Sequence, residues 1–257
     1  MKNLLREKIM NGEKTVGTFF EAGNANVAEA LALTDLDYML IDTEHGPFDV
    51  ESVMSMLRAA ELHDTTALVR VKDSNRNSVL KMLDIGAGGL IIPQVHSIEE
   101  IQKLVEYAKY YPLGQRGVAF ARGAGYGYLE HAAGDINDYF AVCNRETLLV
   151  PQCETMGCLE NIEEIAKVDG VDGIFVGPYD LSVAMGIPTQ FDKPEFQAAM
   201  ERIVKAVKAA GKFTIIYCAN AEVANTRLSQ GFDSVTVGQD INYYIDAINA
   251  MVKEIHV

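Results

Sequence analysis

The sequence of 257 residues contains no tryptophan and only four cysteines, which are Cys143, Cys153, Cys158 and Cys218. The cysteines show no CxxC or other zinc-binding spacing. In a chain of this size they predict reduced thiols and hence a cytoplasmic protein. The first residues, MKNLLREKIMNGEK, lack the apolar core of a signal peptide, and no apolar run approaches the roughly 20 residues of a membrane span. We therefore expect no membrane partner.

Positive charge is also scarce, because 22 lysine and arginine residues face 36 aspartate and glutamate residues, for a formal net charge of −14. Such a surface repels nucleic acid and anionic lipid, so we expect neither as a partner. A small anionic substrate remains possible, since it needs only local positive charge. The chain is 49% hydrophobic and 23% charged, which suits a folded domain with a sizeable core.

Short apolar, β-branched runs alternate with longer amphipathic segments, a pattern typical of βα units around a parallel sheet. The runs predict eight strands, and residues 50–62, 97–110 and 194–210 read as helices between them. The fold class predicted is α/β, a (β/α)₈ TIM barrel with an extra C-terminal helix at about 241–255. No linker or repeat divides the chain, so residues 1–257 are predicted to form a single domain. The predicted strands are 14–20, 37–42, 66–71, 89–92, 147–151, 172–176, 213–217 and 234–237.

One segment interrupts this alternation. Residues 111–146 contain a glycine-rich loop, RGVAFARGAGYG, followed by a weakly predicted helix before the fifth strand. A loop of this length inside a compact domain is usually functional or mobile.

The strongest polar residues follow the predicted strands, at the end of a TIM barrel where active sites lie. They stand in the motifs IDTEHGP, LVRV, PQCET and VGPYD. The residues concerned are Asp42, Glu44 and His45 after the second strand, Arg70 at the end of the third, Gln152 and Glu154 at the fifth, and Asp180 after the sixth. Their arrangement on one rim is the main indication of an active site.

Each candidate also has a simpler interpretation. Glu154 and Asp180 could be loop acids or helix N-caps, but as a neighbouring pair they suit a cation such as Mg²⁺ or Mn²⁺. Arg70 could be a surface side chain, although its position favours a bidentate clamp on a carboxylate. His45 could be a structural loop histidine, and its titration near neutrality favours a general acid or base.

Asp84 lies at the end of a predicted helix, where the helix dipole disfavours a negative charge. A partner such as His45 would compensate for this. A plain surface acid explains the position equally well, and the sequence alone leaves the two interpretations open.

Together these motifs, with LDIGAGGLIIPQV, PLGQRGVAFARGAGYG and VTVGQD, resemble the HpcH/HpaI family of class II pyruvate aldolases over nearly the whole chain. The resemblance implies a TIM barrel of the phosphoenolpyruvate/pyruvate-superfamily type. It also implies reversible retro-aldol cleavage of a 4-hydroxy-2-oxo acid to pyruvate and an aldehyde, with Mg²⁺, Mn²⁺ or Co²⁺ as cofactor. A hexamer is expected from the resemblance alone.

The resemblance also implies a role for each candidate. Glu154 and Asp180 would ligate the metal, while Arg70 and Gln152 would hold pyruvate together with the backbone of Gly177, Pro178, Tyr179 and Asp180. His45 would be the acid or base, paired with Asp84 and with Asp42 in its hydrogen-bond network. No lysine Schiff base is required.

The sequence departs from the family pattern where the aldehyde should bind. Phe19, Tyr179 and Tyr217 stand where relatives commonly carry tryptophan, a small residue and an aliphatic residue. They are predicted to share one wall of the barrel mouth, or else to pack against the 111–146 loop. The alternative function is a malyl- or citramalyl-type thioester lyase, or an oxaloacetate decarboxylase, acting through the same metal enolate. A barrel without catalytic activity is disfavoured by the intact set of polar residues.

Overall fold

The computed structural model describes residues 2–255 and shows eight parallel strands that close into a barrel. Each strand pairs with the next along the chain, and β8 pairs with β1. The predicted (β/α)₈ barrel is confirmed. The strands are β1 (Thr15–Phe20), β2 (Tyr38–Asp42), β3 (Thr66–Arg70), β4 (Gly89–Ile92), β5 (Leu148–Cys153), β6 (Gly173–Val176), β7 (Phe213–Cys218) and β8 (Ser234–Gln239).

Strands β5 and β8 extend two residues beyond their predicted ends, to Cys153 and Gln239. The prediction stopped where the apolar runs give way to Gln152 and to Gly238 with Gln239. Polar side chains are tolerated there because the strand ends face the open mouth of the barrel rather than its core.

Helices cover the outside of the barrel. They are α1 (Leu4–Met10), α2 (Ala25–Ala32), α3 (Val50–Glu61), α4 (Arg76–Asp84), α5 (Ile98–Ala108), α6 (Ile136–Glu146), α7 (Met156–Glu160), α8 (Ile162–Lys167), α9 (Pro178–Ala184), α10 (Pro194–Ala209), α11 (Ala221–Ser229) and α12 (Asp240–Glu254). The predicted extra C-terminal helix is α12. The interrupting segment contains a 3₁₀ turn at Arg122–Gly127 and then the well-formed helix α6.

The barrel interior is filled by apolar side chains from alternate strand positions. At its amino-terminal end the ring of Tyr38 spans the interior, and its hydroxyl lies 2.7 Å from Thr236 Oγ1. Gly17 makes room for this ring, because a Cβ there would lie 2.4 Å from it. This packing closes the lower end of the barrel interior, and the predicted site residues lie at the opposite, carboxyl-terminal end. The cluster comprises Leu5, Ile9, Phe19, Tyr38, Leu40, Leu68, Ile91, Leu148, Val150, Phe175, Phe213 and Ile215.

None of the helices within residues 2–255 is long and apolar enough to cross a membrane. All four cysteines are buried and free of disulfides.

Candidate active site

The inward-facing positions change from apolar to polar at the carboxyl ends of the strands. On β2, Tyr38 and Leu40 belong to the barrel core. Asp42 is the next residue of this strand at an inward-facing position. Arg70 on β3 is the register partner of Asp42. The two-residue period of a strand therefore places these predicted residues in one layer at the mouth.

Arg70 and Asp42 form a buried bidentate pair. Arg70 donates from Nε to Asp42 Oδ1 (2.9 Å) and from Nη2 to Oδ2 (2.6 Å), while its Nη1 lies 3.2 Å from Glu44 Oε2. Burial opposes the charged guanidinium, but Asp42 and Glu44 hold the pKa of Arg70 above its ordinary value. The fork assigned to a substrate carboxylate is thus occupied by Asp42. One N–H of Nη1 and one N–H of Nη2 remain for a ligand.

Asp42 is fully buried and also accepts hydrogen bonds from the backbone N–H groups of Glu44 (3.0 Å) and His45 (3.4 Å). It does not line the cavity described below. Asp42 therefore fixes the Arg70 guanidinium and the loop after β2 through its hydrogen bonds, and a catalytic role for it stays a prediction.

Glu154 lies at the carboxyl end of β5 and is only 3% exposed. Its Oε1 accepts from the backbone N–H of Gln94 (2.7 Å) and from Gln94 Nε2 (3.1 Å), and its Oε2 accepts from Gln152 Nε2. Burial raises the pKa of Glu154 to about 7, and the charges of Asp180 and Glu44 add to the rise. Such a carboxylate gains most from a nearby positive charge.

Gln152 contributes a second polar group beside Glu154, at the floor of the site. Its Oε1 is buried and has no hydrogen-bond partner among the described residues. A buried acceptor without a partner is costly, so this oxygen marks a position for a ligand or a bound water.

The loop after β6 brings its backbone close to these side chains. A Cβ on Gly177 would lie 2.7 Å from both Gln152 Nε2 and Glu154 Oε2, so only glycine fits this approach. Pro178 begins α9, and the exposed carboxylate of Asp180 in its first turn faces the cavity. Asp180 thereby lies on the side of Glu154 that is open to solvent.

His45 lines the cavity with a side chain that is 71% exposed. Its Nε2 lies 3.9 Å from Glu44 Oε2, its acidic neighbour in the loop. An exposed imidazole at the mouth suits proton exchange with a substrate or solvent.

Within one chain the structure does not bring His45 and Asp84 together, and their pairing stays a prediction. Asp84 ends α4, which runs back toward the amino-terminal end of the barrel, and its carboxylate pairs with Arg116 Nη2 at 3.1 Å. Both residues line a separate cleft of about 650 Å³ beside the 3₁₀ turn. The unfavourable helix dipole at Asp84 is thus offset by Arg116, a residue of the interrupting loop.

The predicted aromatic wall is formed. Tyr217 lies edge-on to Phe19 (5.8 Å between ring centroids) and to Tyr179 (5.9 Å), and Tyr179 packs in turn on Phe191 (5.1 Å). Arg70 lies over the Phe19 ring at 4.6 Å. The rings pack on one another and on the loop after α9, not on the 111–146 segment.

These groups surround one cavity of about 310 Å³, a size suited to a small molecule. It brings together Arg70, Gln152 and Asp180 on one side and the aromatic wall on the other. Its lining residues are Phe19, His45, Arg70, Gln152, Phe175, Gly177, Pro178, Tyr179, Asp180, Tyr217 and Gln239.

Four residues of the site carried no predicted role. Glu44 was noted only as part of its motif, and Phe175 resembles any buried strand residue. Gln94 follows β4 in IIPQV and has a φ of +52°, a backbone conformation that the sequence does not reveal. The VTVGQD motif could have indicated Gln239, because a polar residue ends an otherwise apolar strand there.

The donor set fits a hard divalent cation with few protein ligands. Within residues 2–255 no group of three or more His, Cys, Asp or Glu side chains converges as a ready metal cluster. Mg²⁺ commonly uses one or two carboxylates and completes its shell with water and substrate oxygens. Glu154, Asp180 and the unpartnered Oε1 of Gln152 match that pattern.

Comparisons with known proteins agree with this geometry. The family model for HpcH/HpaI aldolase/citrate lyase matches residues 15–247. The 2-keto-3-deoxy-L-rhamnonate aldolase of Klebsiella pneumoniae is 32% identical over 251 residues, which cover 97% of this chain and 91% of that protein.

Solved structures give the same result. An HpcH/HpaI aldolase from Desulfitobacterium hafniense superposes with a TM-score of 0.89 at 27% identity, over 99% of this chain and 98% of that one. The citrate synthase SbnG superposes with a TM-score of 0.84, also at 27% identity, over 97% of each chain.

Barrel, site and relatives together define the class, which is a TIM-barrel carbon–carbon lyase. The chain belongs to the HpcH/HpaI aldolase/citrate lyase family. The resemblance found in the sequence is confirmed.

Proposed function

We propose that this enzyme reversibly cleaves a 4-hydroxy-2-oxo acid to pyruvate and an aldehyde. The observation that carries the proposal is that Arg70, Gln152 and Asp180 line one cavity, and that Gln152 Nε2 donates to the buried carboxylate of Glu154 behind it. The name of the K. pneumoniae relative, an aldolase for a 2-keto-3-deoxy acid, supports it. We call Arg70, Asp42, Gln152, Glu154 and Asp180 the pyruvate half of the site, and Phe19, Tyr179, Tyr217 and Gln239 the acceptor half.

Glu154 and Asp180 would hold Mg²⁺, Mn²⁺ or Co²⁺. When bound, the cation would supply Lewis acidity toward the keto oxygen and stabilise negative charge that develops there. The buried position of Glu154, whose pKa is raised, supports this assignment, because a cation relieves the cost of its charge.

Pyruvate would lie with its carboxylate toward the remaining N–H groups of Arg70. The backbone N–H groups of Tyr179 and Asp180, in the first turn of α9, have no partner within the helix and would donate to the same carboxylate. Asp42 keeps Arg70 from turning away, and Gln152 completes the floor. The chain therefore binds the acid and keto groups through fixed donors.

His45 would move the proton at the aldehyde or alkoxide oxygen. Its exposure and its place in the cavity lining support this role, since the imidazole can reach a substrate at the mouth. The acceptor half would exclude water from the reacting carbon with its rings.

We further propose that copies of the chain assemble through α12. In a TIM barrel a helix follows every strand and covers the sheet. Here an apolar groove between α2 and α11, lined by Leu31, Leu228 and Val235, lies over β1 and β8. The apolar residues of α12 are themselves exposed, among them Ile245, Ile248 and Met251.

The α12 helix of a second copy supplies the missing apolar face for this groove. Between copies, Asp84 could also meet a His45 that it does not reach within one chain. Sedimentation of the wild type should give an oligomer, and Leu228→Glu should shift it to the monomer. A wild-type monomer at assay concentration would contradict the assembly.

The assay is pyruvate release from 4-hydroxy-2-oxo acids of different chain length. Addition of borohydride with pyruvate should not inactivate the enzyme, because no lysine lines the cavity. Borohydride inactivation would contradict the proposal and indicate a Schiff base. Turnover of malyl- or citramalyl-type thioesters or of oxaloacetate alone would favour the alternative functions.

A further inference from the structure

The end of β8 carries an irregularity that turns one side chain into the acceptor half. Gly17 of β1 pairs with Thr236, but Phe19 pairs with Gln239, so β8 contains one extra residue over this stretch. Gly238 has a φ of +57°, which suits the αL conformation of a bulge. Bulges commonly re-aim a side chain beside an active site, and here Gln239 lines the cavity next to Phe19.

The amide of Gln239 is held in a defined orientation. Its Nε2 donates to Glu21 Oε1 at 3.1 Å, and its Oε1 accepts from Asn242 Nδ2 at 3.3 Å. Glu21 is itself fixed, because its backbone N–H donates to Asp240 Oδ1 at 2.8 Å. A carboxylate only accepts hydrogen bonds, so Glu21 keeps the nitrogen of the amide on its own side.

After these bonds, Gln239 retains one N–H donor and one acceptor lone pair. A single group that both donates and accepts matches an alcohol hydroxyl, which can do the same. Tyr217 packs on Phe19 and lines the same cavity, and its hydroxyl makes no hydrogen bond to any other described residue. Two neutral polar groups therefore face the space beyond the pyruvate half.

The charges around this space disfavour an anionic acceptor. Glu21 lies behind Gln239, and burial raises its pKa; the charges of Asp42 and Asp240 add to the rise, while those of Arg70 and His45 oppose it. Arg70 is the cationic side chain that lines the cavity, and it is already paired with Asp42 and Glu44. An acceptor with its own carboxylate would meet acids without a matching cation.

We propose that Gln239, oriented by Glu21, binds a hydroxyl group of the acceptor and makes the enzyme selective for neutral hydroxyaldehydes. This inference rests on the proposed aldolase function. Gln239 acts as a specificity-determining residue, and Glu21 acts through it as a positioning residue.

The test compares aldehydes that differ by one hydroxyl, namely glycolaldehyde with acetaldehyde, and lactaldehyde with propionaldehyde. Aldol addition to pyruvate is measured as kcat/KM for the wild type, Gln239→Leu and Glu21→Gln. The wild type should prefer the hydroxylated member of each pair. Gln239→Leu should reduce that preference about tenfold, the usual worth of a net hydrogen bond. Glu21→Gln should reduce it less, because it frees the amide without removing it.

Two controls separate this inference from the proposed function. Exchange of pyruvate methyl protons in deuterated water needs no acceptor, so exchange by the wild type reports on the proposed function alone. Gln102→Leu, on the exposed face of α5, should change neither quantity. If Gln239→Leu does not fold, Gln239→Met replaces it with an unbranched apolar side chain of similar length.

An undiminished hydroxyl preference in the Gln239 variant would overturn the inference, as would a wild type that prefers the deoxy aldehydes. Absence of proton exchange in the wild type would instead contradict the proposed aldolase function itself.

Discussion

The two halves of the cavity are built in opposite ways. In the pyruvate half, Asp42, Arg70 and Glu154 are buried and carry short hydrogen bonds on nearly every polar atom. In the acceptor half, rings pack edge to edge, and Tyr179 is 43% exposed. The pyruvate half is preorganised for the group that all substrates would share. The acceptor half is a surface whose residues can change without disturbing the pyruvate half. Substitutions should therefore separate chemistry from specificity.

The largest effect is expected from the two carboxylates of the pyruvate half. Glu154→Ala or Asp180→Ala should abolish cleavage, because a methyl group cannot replace an oxygen ligand of a hard cation. Residual pyruvate release and Mn²⁺ binding by calorimetry measure the loss. Asp192→Ala, an acid outside the cavity, is the matched control. Substantial turnover by either site variant would remove that residue from the metal site.

Arg70 should come next, with effects on both stability and catalysis. Arg70→Ala leaves Asp42 buried without its partner, which should lower the free energy of unfolding by about 3–5 kcal/mol. Pyruvate binding and kcat should both fall, since the group serves ground and transition states. Arg70→Lys should keep much of the stability but little activity, because a point charge cannot form the fork on Asp42. Near-normal kinetics in Arg70→Lys would show that the fork is dispensable.

His45 should affect the rate without affecting the binding of either metal or pyruvate. Its replacement by alanine should cost about 10²–10⁴ in kcat, the usual share of general acid–base catalysis. Its exposed side chain predicts little change in stability. A His45→Ala protein that bound Mn²⁺ poorly would identify the residue as a ligand instead of an acid or base.

The raised pKa of Glu154 predicts a pH effect in the metal-free protein. The folded pKa of about 7 exceeds the ordinary value of 4.5, so the folded state binds more protons than the unfolded state between these values. The free energy of unfolding should therefore rise as the pH falls from above 7 toward 4.5. Glu154→Gln should lose this part of the slope in denaturant titrations made in EDTA. An identical slope in both proteins would mean that the buried carboxylate is ionised throughout.

The smallest effects should come from substitutions in the acceptor half. They should change the order in which the enzyme prefers different aldehydes rather than its overall rate. Tyr179→Ala and Tyr217→Leu enlarge the mouth and should improve longer aldehydes by about 1–3 kcal/mol in kcat/KM relative to short ones. Pyruvate proton exchange should stay at the wild-type rate. An unchanged aldehyde ranking in both variants would show that these rings do not contact the acceptor.

Much of this architecture follows from sequence patterns, for identifiable reasons. The strands were predictable because buried parallel strands are continuous apolar runs, and Asp42, Arg70 and Gln152 each stand at the carboxyl end of such a run. The partners were harder to predict. Arg116 reaches Asp84 from a loop more than thirty residues away, and Asp42 rather than a ligand occupies the Arg70 fork. Such pairings depend on side-chain geometry that no local pattern encodes.

The backbone conformation at the barrel mouth was equally hard to predict from the sequence. The amide of Gln94 binds Glu154 through a residue with positive φ, and the β8 bulge turns Gln239 inward. Both features depend on single backbone torsions. The motifs IIPQV and VTVGQD marked the positions of Gln94 and Gln239 but not the direction in which their side chains point.

The central claim is that this cavity generates the enolate of pyruvate with a divalent cation held by Glu154 and Asp180. Its most direct test is the rate at which methyl protons of pyruvate exchange in deuterated water, followed by NMR without any aldehyde. We expect exchange to stop after treatment with EDTA and exhaustive dialysis, and to return with Mg²⁺, Mn²⁺ or Co²⁺ in the wild type but not in Glu154→Ala. Full exchange by the metal-stripped wild type would contradict the account.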